Sequence, residues 1–425
     1  MRISPSVAGD PTGWGRPNVD IVHTVSTITR PAEPVVGTRR WLAVAAATFA
    51  IAWGGNEFTP LLVMYRAGEG FSGLTVDLLL FAYVLGIVPA LLVGGPLSDR
   101  FGRRPLMIPA PLLAAAGSLI LAVGADSAAV LAVGRVFSGL ALGLAMAVGG
   151  SWLKELSAPP YGDGTSGARR AAMSLTAGFG LGAAAAGVLA QWGPAPTMLS
   201  YACNAALALA AAAVLTVAPE TRGRHDSANS WWADLAIPAT ARRRFLFVVV
   251  PVAPWVFGAA GSAYAVLPAL LTERVAHAPI AFSALLCVVT LGVGFGVQQA
   301  GRSLGADGPR GVVTAMVLLL AGMGCAAWAA AVLTVTAALI AAAVLGAGYG
   351  MALLAGLTEI QRLAGPDDLA GLTAVFYSLS YLGFGVPAAL SLLAGAGVAY
   401  PAMFAVGALL AVVCLVIVMV GIRRS

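Results

Sequence analysis

Twelve apolar stretches of about twenty residues, separated by short polar segments, dominate this 425-residue sequence. An α-helix needs about 20 apolar residues to cross the hydrocarbon core of a bilayer. Only 10% of the residues are charged, whereas soluble domains carry about 25%. The sequence therefore predicts an all-α membrane protein with twelve transmembrane helices, and it excludes a soluble or disordered chain. The predicted spans are Trp41–Met64, Leu78–Leu97, Leu106–Ala125, Ala129–Leu153, Ala171–Gln191, Thr197–Val217, Phe245–Leu271, Ile280–Ala300, Val312–Ala330, Thr334–Leu354, Leu372–Leu393 and Ala399–Ile422.

The basic residues predict how these helices are oriented. Twenty-one of the 24 Lys and Arg residues fall in the terminal segments and in the alternate loops on the same side. Arg66 and Arg274 fall on the other side, and Arg135 lies within the fourth span. Because cytoplasmic loops are rich in Lys and Arg, we expect a multi-pass protein of the cell membrane with both termini cytoplasmic. Residues 1–38 are then a cytoplasmic tail. The net charge of +6 sits in these loop clusters, which favours the lipid bilayer over nucleic acid as a partner.

A weak internal repeat predicts two pseudo-symmetric halves of six helices each. Three groups of residues recur at nearly equal offsets of about 204 to 208 positions, as internal repeats in transporters do. They are Pro60 and Arg66 with Pro268 and Arg274, Leu153 and Glu155 with Leu357 and Glu359, and Gly178-Phe179-Gly180 with Gly383-Phe384-Gly385. We place the N-terminal half at 39–221, a cytoplasmic linker at 222–243 and the C-terminal half at 244–425.

The loop between spans two and three carries the most specific motif, Gly95, Asp99, Arg100, Gly102, Arg103 and Arg104 in the order G-x-x-x-D-R-x-G-R-R. It resembles the signature loop of the major facilitator superfamily, whose fold has twelve helices in two halves. The resemblance implies a gating cluster that latches the halves, with the acid near a helix N-terminus of the other half. We expect Gly95 to permit close backbone approach and Gly102 to permit a turn. Glu155 is the expected partner of Arg100 or Arg103; the alternative is a simple basic anchor.

The corresponding loop of the second half is a degenerate copy. The segment from Gly301 to Arg310 keeps glycines and basic residues but loses the order of the motif. We expect Glu359 to pair with Arg302 or Arg310 there.

Two ionisable residues, Glu57 and Arg135, lie deep within spans. Charges cost about 2.5–3.5 kcal/mol at a helix centre on insertion scales, so they usually face a cavity or a partner. We expect Glu57 to bind and release the coupling proton, with a substrate-cation site, a static salt bridge or a protonated packing residue as alternatives. Arg135 opens a glycine-rich pattern that resembles the fourth span of the family and implies a role in proton movement. Otherwise it bonds backbone carbonyls between helices.

Aromatic residues in the spans predict a cavity for the substrate. Tyr377, Tyr381 and Phe384 form one helical stripe at i, i+4 and i+7. With Trp53, Asn56, Tyr264 and Tyr349 we expect them to line a site for a lipophilic or cationic molecule; packing against helices or lipid is the alternative. Few amides lie in the spans, which disfavours a sugar.

The predicted function is proton-driven antiport export of such molecules by alternating access, as in the drug-exporter branch that the family resemblance implies. Span six ends in Pro219-Glu220-Thr221-Arg222, a weak signal because the string resembles both many exporters and the sugar permeases of the family, and span five lacks the antiporter proline. The alternatives are a proton symporter or facilitator for a nutrient and a transport-inactive sensor. The only lysine, Lys154, follows Leu153, so no phosphate-binding loop is present. We expect no enzyme activity, cofactor or metal, and a monomer whose partners are its substrate, protons and lipid.

Overall fold

The computed structural model describes residues 39–68, 70–162, 166–223, 235, 237–303, 309–365 and 369–424. The predicted tail 1–38 and most of the predicted linker 222–243 therefore lie outside the described residues. The described chain is helical and contains no strand.

Twelve helices run through the structure, as the apolar stretches predicted. They are α1 (Trp41–Gly68), α2 (Gly73–Phe101), α3 (Arg103–Val123), α4 (Ala128–Glu155), α5 (Gly167–Trp192), α6 (Leu199–Leu215), α7 (Arg242–Leu270), α8 (Pro279–Ser303), α9 (Pro309–Val332), α10 (Val335–Leu363), α11 (Leu369–Gly395) and α12 (Tyr400–Arg424). Ten of the described helices are long and apolar enough to cross a membrane. The other two are α6, with 17 residues, and α1, whose apolar run is interrupted by Asn56 and Glu57.

Most predicted boundaries lie within a few residues of the observed ones, and the largest difference is at the end of α10. That helix continues to Leu363, nine residues beyond the predicted end. Its last turns hold Glu359, which is fully buried against Arg244. An ion pair with another helix stabilises these turns, so hydropathy alone did not predict them. Helix starts follow local capping: Ser72 Oγ accepts a hydrogen bond from the Thr75 amide at 3.1 Å at the start of α2.

The two halves repeat one helix crossing in detail. In the N-terminal half α5 crosses α1 at Gly178, where an added Cβ would lie 2.5 Å from the Phe49 carbonyl oxygen. In the C-terminal half α11 crosses α7 at Gly383, where a Cβ would lie 2.1 Å from the Pro254 carbonyl oxygen. Each pair of positions differs by 205 residues, which equals the offset of the glycine repeat in the sequence. Small residues let the backbones meet at both crossings.

The halves face each other through α2 against α11, α5 against α8 and α1 against α8. At the end of the molecule that holds the α1–α2 loop, polar groups cross this interface. Arg66 pairs with Asp77, and its Nη1 donates to the Ala265 carbonyl at 3.2 Å, while Ser391 of α11 donates to Asp77. Nearby, Gln191 Oε1 accepts from the Ile280 amide at 3.0 Å. The interface is therefore closed at this end, which we call the α1–α2 end.

Candidate functional site

A small cavity of about 30 Å³ lies between the two halves. Five of the seven predicted substrate-cavity residues line it, namely Asn56, Tyr264, Tyr349, Tyr381 and Phe384. Its other lining residues are Gly55, Thr59, Leu80, Tyr83, Arg135, Leu142, Phe179, Phe257 and Leu291. Because α1, α2, α4 and α5 contribute from one half and α7, α8, α10 and α11 from the other, the cavity lies where a rocking motion would open it.

Trp53 and Tyr377 do not line the cavity, so their prediction as cavity residues is wrong. The backbone of Trp53 lies against α5, where a Cβ on Gly182 would be 2.5 Å from the Trp53 carbonyl oxygen. Its ring packs edge-on against Phe49 at 5.9 Å. Tyr377 is half-buried beside Phe376, with ring centroids 5.8 Å apart. A tighter turn at Leu382–Phe384 interrupts α11 after Tyr381, so it changes the position of Phe384 relative to the stripe and does not account for Tyr377.

Phe257 of α7 is the centre of the aromatic wall and was not predicted. Its ring stacks on Tyr381 at 4.2 Å and on Phe384 at 4.9 Å, and it lies 5.9 Å from Tyr349. Tyr264 approaches Phe384 at 6.4 Å from a π-helical turn of α7 at Ser262–Val266, a type of local irregularity that is frequent at functional sites. In the sequence Phe257 lies within a continuous apolar run, so no periodic signal singled it out.

Asn56 provides a polar corner whose hydrogen-bonding groups are already used. Its Nδ2 donates to the Phe179 carbonyl at 3.1 Å and to Cys287 Sγ at 3.2 Å, and its Oδ1 accepts from Thr59 at 2.8 Å. Cys287 is a buried free cysteine. These bonds join α1 to α5 and, across the halves, to α8.

Arg135 of α4 places a fully buried guanidinium against the cavity. The group lies over the Tyr83 ring at 4.1 Å and over the Phe58 ring at 4.6 Å, which are cation–π contacts. Within the part of the chain that the structure describes, none of its three nitrogens has a hydrogen-bond partner. The alternative in which Arg135 bonds backbone carbonyls is therefore wrong for this structure. The Tyr83 hydroxyl, which also lines the cavity, is likewise without a partner among these residues.

Glu57 is fully buried but faces the interior of the N-terminal half instead of the cavity. One residue along a helix is a rotation of about 100°, so Asn56 faces the other half while Glu57 faces α3 and α6. Ser118 Oγ donates to Glu57 Oε1 at 3.0 Å, and Asn204 Nδ2 donates to Ser118 Oγ at 2.8 Å. In the described chain Glu57 Oε2 has no hydrogen-bond partner and no basic nitrogen lies within 4 Å of the carboxylate. The alternative of a static salt bridge is therefore wrong here.

The predicted gating motif forms a compact charge cluster at the other end, between α2 and α3. Arg103 is its centre: Nη2 lies 2.8 Å from Glu155 Oε1, and Nη1 lies 2.9 Å from Asp99 Oδ1. Nη1 also donates to Ser98 Oγ at 2.6 Å. The expected contact between Arg103 and Glu155 is thus present, and it fixes the start of α3 to the end of α4.

Glu220 completes this cluster from the segment after α6. Its carboxylate accepts from the backbone amides of Arg103 at 2.9 Å and Arg104 at 2.8 Å, at the N-terminus of α3. The amides of Thr221 and Arg222 also donate to it. Although partial burial opposes ionisation, these four amides lower the pKa of Glu220. The segment from Pro219 to Arg222 is therefore part of the cluster. In the sequence this segment is only a weak signal of an exporter.

Other members of the motif have individual roles. Gly102 has a φ of 100°, and a Cβ there would lie 2.7 Å from Glu220 Oε2, so this glycine permits both the turn and the contact. Outside its own helical turn, no atom of the described residues lies within 4 Å of a Cβ built on Gly95, so the expected close backbone approach there is wrong. Arg104 Nη2 donates to the Thr216 carbonyl at 2.7 Å. Arg100 is half-buried on the last turn of α2.

The cluster lies within one half, in contrast to the latch that the family resemblance implied. In the described chain Asp99 forms ion pairs with Arg103 and with Arg222, at 3.3 Å for the latter. The carboxylate that meets a helix N-terminus is Glu220, and that helix is α3 of the same half. Thr221 donates to Glu155, which closes a ring of contacts among α2, α3, α4 and the start of the linker.

The second half has a simpler counterpart. Glu359 of α10 pairs with Arg244 at 2.9 Å and with Arg362 at 3.4 Å. The described contacts of Glu359 do not include Arg310, so that expected pair is wrong. The side chain of Arg302 and residues 304–308 of the degenerate loop lie outside the described residues.

A model of the major facilitator superfamily matches residues 41–386. This chain belongs to that family. It is therefore a multi-pass membrane transporter for a small molecule, and not an enzyme. The relatives include a chloramphenicol resistance protein of Pseudomonas aeruginosa, 26% identical over 345 residues that cover 77% of each chain. A shorter match of 97 residues is 30% identical to an arabinose-proton symporter of Bacillus subtilis (strain 168) and covers 23% of this chain and 20% of that protein.

Solved structures share the fold. The nucleoside transporter NupG superposes with a TM-score of 0.70 over 91% of this chain and 100% of its own, at 13% identity. An auto-inhibited peptide transporter of the POT family superposes with a TM-score of 0.65 over 91% of this chain and 97% of its own, at 14% identity. At these identities the likeness concerns the architecture of two six-helix halves.

Proposed function

We propose that this protein is a proton-driven exporter of small lipophilic molecules, working by alternating access in the cell membrane with both termini in the cytoplasm. The observation that carries the proposal is a fully buried carboxyl, Glu57, inside the same half as a fully buried guanidinium, Arg135, that lines the cavity between the halves. The chloramphenicol resistance protein, similar over 77% of each chain, supports export. The basic residues of the loops support the orientation.

Glu57 and Arg135 couple protonation to the charge of the cavity. When Glu57 is ionised, the two groups together carry no net charge. When Glu57 takes up a proton, the cavity wall is left with the unbalanced positive charge of Arg135. A ligand therefore experiences a different electrostatic potential in the two protonation states, which is the requirement for coupling. Ser118 and Asn204 hold the carboxyl in place while its second oxygen is available for the proton.

The polar clusters support movement of the halves as rigid bodies. The ring of Arg103, Glu155 and Glu220 joins α2, α3, α4 and the start of the linker within one half. The pair of Arg244 and Glu359 joins α7 to α10 within the other. At the α1–α2 end, contacts of Arg66 and Asp77 with the second half would break when that end opens.

The cavity favours a lipophilic cargo over a cationic one. Its walls are mainly aromatic and aliphatic, and no carboxylate is among its lining residues, while Arg135 contributes a positive charge. A cation in this space would be repelled by the guanidinium.

The test is a pH-dye assay in everted, respiring vesicles, with chloramphenicol and a panel of neutral aromatics added after the proton gradient is formed. We expect addition of a substrate to release protons, and we expect Glu57→Gln to lose at least tenfold in this rate. Glu273→Gln, at an exposed position beyond α7, serves as the matched control and should retain it. Persistent proton release in Glu57→Gln would leave export standing but refute Glu57 as the coupling residue.

A proton symporter that takes up a nutrient is the second candidate, supported by the short match to the arabinose-proton symporter. Vesicles of the opposite orientation discriminate the two, because in right-side-out vesicles a symporter would accumulate sugar under an imposed proton gradient. Accumulation of arabinose or a related sugar, together with no response to the aromatic panel, would favour the symporter.

A further inference from the structure

The cavity contains several hydrogen-bond donors without acceptors. All three nitrogens of Arg135 and the hydroxyl of Tyr83 are buried and unpartnered within the described residues, and both residues line the cavity. More than about 90% of buried polar groups in folded proteins have a partner, and an unpaired one costs about 1–3 kcal/mol. A group of such donors in one cavity points to a ligand that supplies the acceptors.

The remaining surface of the cavity restricts what this ligand is. Asn56 already uses its amide on Phe179, Cys287 and Thr59. No carboxylate lines the space, so no side chain of opposite charge would balance the charge of a cationic group there. The aromatic wall of Phe257, Tyr381 and Phe384 lines the same cavity, with Phe257 stacked on Tyr381 at 4.2 Å and on Phe384 at 4.9 Å. This wall fits a flat ring, since aromatic groups pack on one another at such separations.

We propose that the cavity binds aromatic molecules that carry a planar two-oxygen acceptor, a carboxylate or a nitro group. The two oxygens lie on the guanidinium of Arg135 and the hydroxyl of Tyr83, and the ring lies on the Phe257 wall. A guanidinium is a rigid planar fork that matches two oxygens in a plane, which a compact ammonium does not. The role of this ligand as exported cargo rests on the proposed function, whereas its binding does not.

Equilibrium binding to the full-length protein, purified in detergent, tests this without a proton gradient. Three probes share one ring: 2-naphthoate, 2-nitronaphthalene and (2-naphthyl)trimethylammonium. We expect the naphthoate and the nitro compound to bind at least tenfold more tightly than the ammonium, measured by calorimetry. Naphthoate is charged and nitronaphthalene is neutral, so comparison of their affinities separates the contribution of charge from that of acceptor geometry.

Matched variants locate the site. Tyr83→Phe keeps the ring over Arg135 but removes the hydroxyl. We expect it to weaken the binding of naphthoate and nitronaphthalene about fivefold, which corresponds to the loss of about 1 kcal/mol of hydrogen bonding. The affinity for the ammonium compound should not change. Arg135→Lys keeps the positive charge but loses the planar guanidinium, and it should weaken the binding of naphthoate and of nitronaphthalene by at least tenfold. Tyr400→Phe, at the start of α12 and outside the cavity, is the control and should bind like the parent.

Two results would overturn the proposal: ammonium binding as tight as that of naphthoate, or unchanged naphthoate affinity in both Tyr83→Phe and Arg135→Lys. Size-exclusion profiles identify any variant that fails to fold, and Tyr83→Phe, the milder change, then decides alone. If the probes bind in the expected order but the protein shows no proton-coupled export, the proposed function is refuted and the proposed binding site is supported. If the protein exports but the probes do not bind in this order, the proposed function is supported and the proposed binding site is refuted.

Discussion

At the scale of single residues, the two glycines of the signature loop have different constraints. Gly102 has a φ of 100° and faces Glu220, whereas Gly95 is helical with open space around its Cβ position. We therefore expect Gly102→Ala to lower stability by about 1–3 kcal/mol, because a φ of 100° with a ψ of 162° is a backbone conformation adopted almost only by glycine, and further by displacing Glu220. Gly95→Ala should be neutral or slightly stabilising, because Ala favours a helix. Thermal denaturation of the purified protein measures both, and equal melting temperatures for the two variants would contradict the assignment.

The carboxylate of Glu220 gives a prediction for pH. Four backbone amides lower its pKa in the folded state, so its stabilising contribution is fully present above the pKa of an unfolded Glu, about 4.3. That contribution is lost as the pH falls through the lower, folded-state pKa. Glu220→Gln should therefore melt at a lower temperature than the parent at pH 7, and the difference should shrink progressively as the pH falls below about 4. A difference that stays constant down to about pH 3, or that Glu273→Gln reproduces, would argue against this account.

The types of residue in the spans predicted part of the candidate site, and the part that was not predicted has a physical explanation. Glu57 and Arg135 stood out because charges are costly in a membrane, and both are fully buried in the structure. Phe257 is as apolar as its neighbours, so only the positions of α10 and α11 show that it is the centre of the aromatic wall. The Glu57 side chain points away from the cavity because of how α1 is rotated about its own axis. The sequence pattern did not constrain that rotation.

At the scale of helices, the crossings of α5 over α1 and of α11 over α7 depend on one glycine each. Gly178→Ala would place a methyl group 2.5 Å from a backbone oxygen, and Gly383→Ala would place one at 2.1 Å. Such overlap forces the helices apart, and overpacking typically costs about 1–3 kcal/mol. We expect both variants to melt at clearly lower temperatures than the parent.

Each of these glycines has a control in its own helix. Beyond their own helices, Gly180 of α5 and Gly395 of α11 have no atom of the described chain within 4 Å of the position that a Cβ would take, so Ala should be tolerated at both. Loss of stability in Gly178→Ala but not Gly383→Ala would indicate that the repeat does not carry the same packing role in both halves. The apolar runs predicted these helices to within a few residues, but a tolerant and an intolerant glycine look alike in the sequence.

At the scale of the whole molecule, alternating access requires the α1–α2 end to separate, and the structure offers a place to prevent this. Gly73 begins α2 and Ser391 lies on α11 of the other half, and a Cβ on Gly73 would lie 3.6 Å from Ser391 Oγ. Because the Ser391 Cβ is one bond beyond its Oγ, the two Cβ atoms lie about 4–5 Å apart, at the upper end of the about 3.5–4.5 Å that a disulfide spans. The double variant Gly73→Cys/Ser391→Cys should therefore crosslink α2 to α11 on oxidation.

The crosslink is expected to abolish transport, because the halves could no longer separate at this end, and reduction with dithiothreitol should restore it. The rate of substrate-induced proton release in vesicles is the measurement, with each single cysteine variant as the control for the loss of the Ser391 contact with Asp77. Transport that continues at the parental rate in fully crosslinked protein would mean that the cavity does not empty through the α1–α2 end. The charge cluster of Arg103 lies at the other end and within one half, so it would then remain intact while the halves move around it.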